Sequence, residues 1–129
     1  MKKIFSKFSI IIPSFNRIKL LERAINSLIK QTHGNWEALI IDNHSKISPK
    51  KMIDKYQDKR LSLYRIKNRG VIAKSRNYGI KKAKGDFIAF LDSDDWWLPN
   101  KLEISLKYLK KYNAIFHELQ PKSKEKVFF

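Results

Sequence analysis

Phe87-Ile88-Ala89-Phe90-Leu91-Asp92-Ser93-Asp94-Asp95 decides how this chain folds. Five consecutive apolar residues lead straight into a turn that holds three aspartates. An apolar run this short, without polar alternation, predicts a strand covered on both faces. The pattern occurs twice upstream. Ser9-Ile10-Ile11-Ile12 is largely β-branched and stops at Pro13. Residues 36–41 form a second run that ends at Asp42.

Helical spacing fills the intervals. Ile18, Leu21, Ala24, Ile25, Leu28 and Ile29 recur on one face, with Asn16 as the expected cap and His33-Gly34-Asn35 as the stop. Ser48-Pro49 opens a second helix reaching residue 56 or 57. Residues 61–66 read as a third strand nearer an edge, and residues 72–84 as a helix stopped by Gly85. Pro99-Asn100 opens a last helix carrying Leu102, Leu106 and Leu109, and residues 114–116 read as a weaker final strand. Strands alternating with helices predict an α/β fold: a mainly parallel sheet with helices on both faces. One domain is expected over residues 1–120, followed by a basic tail over 121–129. No repeat or linker divides the chain.

Its 129 residues suit a single domain, and the formal net charge is +16. Such a charge suits a polyanionic partner: a nucleotide, a nucleic acid or an anionic membrane surface. The absence of cysteine excludes disulfides, thiolate metal sites and cysteine nucleophiles. No apolar run approaches the roughly 18 residues of a spanning helix. Met1-Lys2-Lys3-Ile4-Phe5 begins like a secretory signal, but Lys7 interrupts it and the region around Pro13 is not a cleavage site, so no signal is expected.

In an open parallel sheet, ligands bind beyond the carboxyl ends of the strands. Those ends carry Pro13-Ser14-Phe15, Asp42-Asn43-His44-Ser45 and Asp92-Ser93-Asp94-Asp95. Four carboxylates on one rim are out of character for so basic a chain. They repel one another unless a cation sits among them. Mg²⁺ or Mn²⁺ is held by one or two carboxylates plus substrate phosphates, which suits this turn. The competing reading is an acidic turn that caps the following helix. Residues 59–85 hold ten basic residues and no acid, and most of these read as a solvated face. Arg76 differs, because it shares a helical stripe with Ile72, Gly79, Ile80 and Ala83. Its charge is satisfied by a nucleotide phosphate, by a rim carboxylate or by water. Trp96 and Trp97 read first as core, with a sugar or base pocket as the alternative for one of them. His33, His44 and His117 lack metal-ligand spacing, and glycine-rich phosphate loops are absent.

Taken in order, residues 9–17, 28–32 and 36–45, Asn68-Arg69-Gly70-Val71, Ser75-Arg76-Asn77, Gly79-Ile80, residues 83–86 and residues 90–96 resemble the family 2 glycosyltransferases of the GT-A fold. The resemblance runs from about residue 8 to residue 118. It implies a Rossmann-like half that binds a nucleoside-diphosphate sugar, with a UDP-sugar favoured. Pro13, Ser14 and Phe15 would meet the nucleotide and Asp42 and Asn43 the base. Arg76 would approach from its helix, and Asp92 and Ser93 would sit at the ribose or diphosphate. Asp94 and Asp92 would ligate Mn²⁺ or Mg²⁺, and Asp95 would support them. The implied reaction is inverting transfer to a glycan or lipid-linked acceptor, at a cytoplasmic location that includes the inner membrane face.

Two departures stand out. The family often has a second Asp where this chain has Asn43, which accepts a hydrogen bond without charge. The acceptor-binding half with its catalytic base normally follows residues 114–118, so the expectation is an incomplete unit with the base missing. Glu118 does not fit the pattern of that base. The alternative class is a non-enzymatic basic module for nucleic acid or anionic membrane. Nucleic acid is disfavoured because no recognisable motif is present and because basic residues do not account for the acidic turn.

Overall fold

The computed structural model describes residues 6–117. Expectations for the tail and for Glu118 lie outside that range. Four strands and four helices alternate: β1 (Phe8–Ser14), α1 (Ile18–Ile29), β2 (Trp36–Asp42), α2 (Lys50–Asp54), β3 (Leu61–Arg65), α3 (Ile72–Lys82), β4 (Phe87–Phe90) and α4 (Lys101–Leu109). The sheet has the order β3-β2-β1-β4, and every neighbouring pair is parallel.

That order explains the layering. The sheet grows from β1 through β2 to β3, then returns to the other side of β1 for β4. Crossovers of one hand therefore put α1 and α2 on one face and α3 on the other. The contacts agree. Leu21, Ala24, Ile25 and Leu28 of α1 pack with Met52 and Ile53 of α2 and Leu102, Leu106 and Leu109 of α4 over Phe8, Ile10, Ile12, Ala38 and Ile40. On the opposite face Tyr78 and Ala83 cover Ile11, Leu39 and Ile41. Gly79 lets α3 lie this close, because a Cβ there would stand 2.6 Å from Cγ2 of Ile11.

The central strands match the sequence reading, as does β3 at its edge, and β4 departs from it. β1 and β2 are buried almost throughout. β4 is apolar but lies at an edge, and Ile88 and Phe90 are exposed. Its apolar sequence marks strand formation, not two covered faces. Residues 114–116 form no strand; Ile115 packs against the core while Phe116 is exposed. β propensity there has no sheet edge to pair with. α2 ends at Asp54, short of residues 56–57, and α3 ends at Lys82. Gly85 serves a different need: its N–H donates to Oγ of Ser9 at 2.7 Å, where a Cβ would collide with the β1 backbone. Asn16 does not cap α1. It adopts a left-handed φ of 52°, and its Oδ1 accepts a hydrogen bond from the backbone N–H of Lys46. Among the described residues, no helix is long and apolar enough to cross a membrane.

Candidate functional site

The parallel register brings the carboxyl ends of β1, β2 and β4 to one rim. Ser14 pairs with Asp42, and the backbone N–H of Asn43 donates to the Ser14 carbonyl at 2.9 Å. Leu91, just after β4, donates its N–H to the Ile11 carbonyl, which places Asp92 beside the end of β1. β1 and β4 flank the point where strand order reverses, the favoured ligand position in such sheets. Asn16 and His44, in the loops after β1 and β2, both hold positive φ. Left-handed non-glycine backbone of this kind concentrates at functional rims.

Asp42 is fully buried. Its carboxylate accepts from the Ser45 backbone N–H at 2.9 Å, from the Ser45 hydroxyl and from Nε of Arg65 at 3.1 Å. Arg65 also donates to the Ser45 carbonyl at 2.7 Å, and the Ser45 hydroxyl oxygen accepts from the Asn16 N–H at 2.8 Å. Asp42 therefore folds the 43–45 loop and presents no surface to a ligand. Oδ1 of Asn43 accepts from the Asn68 N–H, and the buried Asn68 side chain donates to Ser75 on α3. This polar chain ties the rim to the start of α3.

The acidic turn is built differently. Asp92, Asp94 and Asp95 each place one carboxylate oxygen within 4.8 Å of the other two. Asp92 and Asp94 are exposed, and Ser93 between them is buried. Burial, reinforced by the charges of Asp94 and Asp92, pushes the Asp95 carboxyl above the usual range, against the opposing pull of Arg23 and His117. Three arginines converge here. Arg17 meets Asp94 at 2.9 Å, Arg23 donates to the Asp94 carbonyl at 2.6 Å, and Arg76 meets Asp92 at 3.1 Å. Nε of Arg76 is buried with no hydrogen-bond partner. The stripe reading of Arg76 thus resolves onto a rim carboxylate. Clustered oxygen donors of this kind suit a hard divalent cation.

Of the residues selected from sequence, Ser14, Asp42 and Asn43 share the β1–β2 side of the rim, while Asp92, Ser93, Asp94 and Asp95 form the β4 side with Arg76. Pro13 is half-buried and Phe15 exposed between the two. Sequence reasoning singled out neither Arg17 nor Arg23, and left Arg65 within the basic stretch 59–85 that reads mostly as a solvated face. The signal for Arg65 was its place at the end of the strand beside Asp42. Trp97 is core, as expected, but Trp96 is exposed.

Comparison with known proteins is consistent across sequence and structure. The family described as Glycosyl transferase family 2 matches residues 9–127. An uncharacterized glycosyltransferase of Rickettsia felis is 48% identical over 124 residues, which cover 94% of this chain and 20% of that protein. The Escherichia coli UDP-Glc:alpha-D-GlcNAc-diphosphoundecaprenol beta-1,3-glucosyltransferase WfgD is 40% identical over 108 residues, covering 84% of this chain and 43% of its own length. The crystal structure of S. aureus TarS 1-349 in complex with UDP superposes with a TM-score of 0.76 at 31% identity, over 83% of this chain and 33% of that one. The chain thus spans between about a fifth and two fifths of these relatives.

Proposed function

The chain belongs to glycosyl transferase family 2, and from that membership we propose that its rim binds a nucleoside-diphosphate sugar, a UDP-sugar, together with Mn²⁺ or Mg²⁺. The observation that carries this reading is the Asp92-Asp94-Asp95 cluster at the reversal of strand order in a chain of charge +16. The UDP held by TarS, which shares this fold, supports the choice of donor.

Asp94 and Asp92 would hold the metal, with Asp95 beside them; the donor set is all oxygen, as a hard cation requires. When bound, the ion neutralises the diphosphate as it leaves the sugar. The protein's part is positioning. Pro13, Ser14 and Phe15 line the nucleotide side, and Asn43 offers a neutral amide toward the base. Asp42 orients the 43–45 loop from beneath. Arg76, partly exposed and paired with Asp92, would offer its guanidinium to a diphosphate oxygen. Ser93 anchors the turn from its buried side.

The whole reaction would be transfer with inversion to an acceptor hydroxyl. The diphosphoundecaprenol substrate named for the E. coli relative supports a lipid-linked acceptor at the inner membrane face. No described residue is assigned as the base that deprotonates the acceptor.

Isothermal titration of UDP, with and without Mn²⁺, tests the donor site in wild type and Asp94→Ala. Metal-dependent binding weakened at least about tenfold by the substitution is expected, since even outer-shell changes cost metal sites that much. Equal, metal-independent binding in both proteins would overturn the reading.

A further inference from the structure

Beside the acidic turn lies a second surface that the donor site leaves unused. The segment after Asp95 turns back over α1 and bounds a groove of about 520 Å³. Lys19 and Arg23 line it from α1 and Lys30 from just past the helix end, with Trp96 and Leu98 on the opposite wall. Trp97 turns into the core, whereas Trp96 is 41% exposed and Leu98 62%. The Arg23 guanidinium stacks 4.2 Å from the centre of the Trp96 ring, while its Nη2 holds the Asp94 carbonyl. Groove and acidic turn are therefore joined through one side chain.

This mixture of groups selects its partner. Indole rings favour the headgroup layer of a bilayer, where the apolar body is covered and the N–H stays wet. Lysine stems lie along apolar surface while their ammonium groups reach anionic headgroups. A nucleic acid would match the cations but leave Leu98 in water. Glu22 is the one acidic side chain in the lining, against three cations.

We infer that this face of α1, with Trp96 and Leu98, docks on the anionic headgroups of a bilayer leaflet. The inference rests on the reading of the acceptor as lipid-linked. Docking here sets the acidic turn beside the leaflet, where such an acceptor presents its hydroxyl.

Flotation with vesicles of phosphatidylcholine alone, and with about one third phosphatidylglycerol, tests the inference. The wild type should float with the anionic vesicles only. Trp96→Ala/Leu98→Ser and Lys19→Glu/Lys30→Glu should each lower the bound fraction about tenfold. Lys74→Glu/Lys81→Glu removes the same charge from α3, over the opposite sheet face, and should stay within about twofold of wild type. Circular dichroism melts verify that each variant folds. Brominated lipid should quench tryptophan emission in wild type and not in Trp96→Phe, because Trp36 and Trp97 are buried. Equal losses in the two lysine pairs, no quenching, or tighter binding to DNA than to anionic vesicles would overturn the inference. UDP and Mn²⁺ titrations without lipid judge the donor site separately: docking without donor binding sinks only the donor reading, and the reverse sinks only this one.

Discussion

The two sides of the rim hold their carboxylates in opposite ways. Asp42, at the end of β2, is buried with its oxygens committed to Ser45 and Arg65. Asp92 and Asp94, after β4, are half in water and meet arginines that solvent also reaches. The first arrangement is complete within the protein and holds a loop in shape. The second keeps its oxygen donors within reach of solvent and of a cation. One rim therefore contains a finished structural carboxylate and an unfinished cluster open to a ligand, and the two respond differently to the same mutation.

The largest expected difference is in stability. Asp42→Ala leaves Arg65 and the Ser45 N–H without their acceptor, and breaking such a buried pair costs about 3 kcal/mol or more. Asp94→Ala, at an exposed pair, should change stability by less than about 0.5 kcal/mol. Urea denaturation of both variants measures the contrast; equal losses would erase it.

Ligand response should invert that ranking. Mn²⁺ with UDP should raise the melting temperature of wild type by linkage, by about 2.7 kcal/mol of stabilisation at a hundredfold excess over Kd. Asp42→Asn should keep most of this gain, and Asp94→Ala should lose it. Thermal scans with and without both ligands decide the point.

Acid titration sharpens the comparison at smaller amplitude. The folded-state pKa of Asp95 is raised by burial and by its neighbours' charges. Its favourable contribution is thus present below the unfolded pKa and lost as pH rises through the folded value. Asp58 behaves in the opposite sense. Hydrogen bonds from Arg60 lower its pKa, outweighing burial, so it contributes above its unfolded pKa and loses that contribution as pH falls through the folded value. Asp95→Asn should therefore be more stable than wild type at neutral pH and Asp58→Asn less stable, each by under about 1 kcal/mol because solvent screens both groups. Both differences should shrink in acid, as urea midpoints across the pH range would reveal.

The smallest effect belongs to Arg17. Its pair with Asp94 is exposed at both ends, and Arg17→Ala should shift stability by at most about 0.5 kcal/mol. A larger loss in denaturation would mean that the acidic turn depends structurally on α1.

The strands of the rim were legible because short apolar runs that stop at Pro13, Asp42 and Asp92 mark both an element and its carboxyl end. Residues 9–12, 36–41 and 87–90 all became strands in parallel register. Arg76 was legible because a charge on a small, apolar stripe demands a partner. Arg65 was not, because its one signal, a place at the end of the strand beside Asp42, depends on the pairing of β2 with β3 and not on its own neighbours in sequence. Asn16 was misassigned for the same reason: its amide satisfies Lys46, 30 residues away, in place of the nearest helix end. Residues 114–116 show the limit from the other side. Strand propensity is local, but a strand exists only where another edge receives it.

The position of β1 in the sheet has a consequence for assembly in time. β1 is made first, yet one of its edges waits for β4: Lys7 and Asp86, bonded at the start of that pairing, are 79 residues apart in the chain. β2 and β3 can pair early through shorter closures, whereas the β1–β4 ladder closes a long one. On the ribosome, the edge of β1 stays open until residues 87–90 have emerged. The acidic turn follows those residues, so its carboxylates are gathered only when the last strand of the sheet has paired, and the part of the rim best suited to a metal is the last part of the rim to take shape.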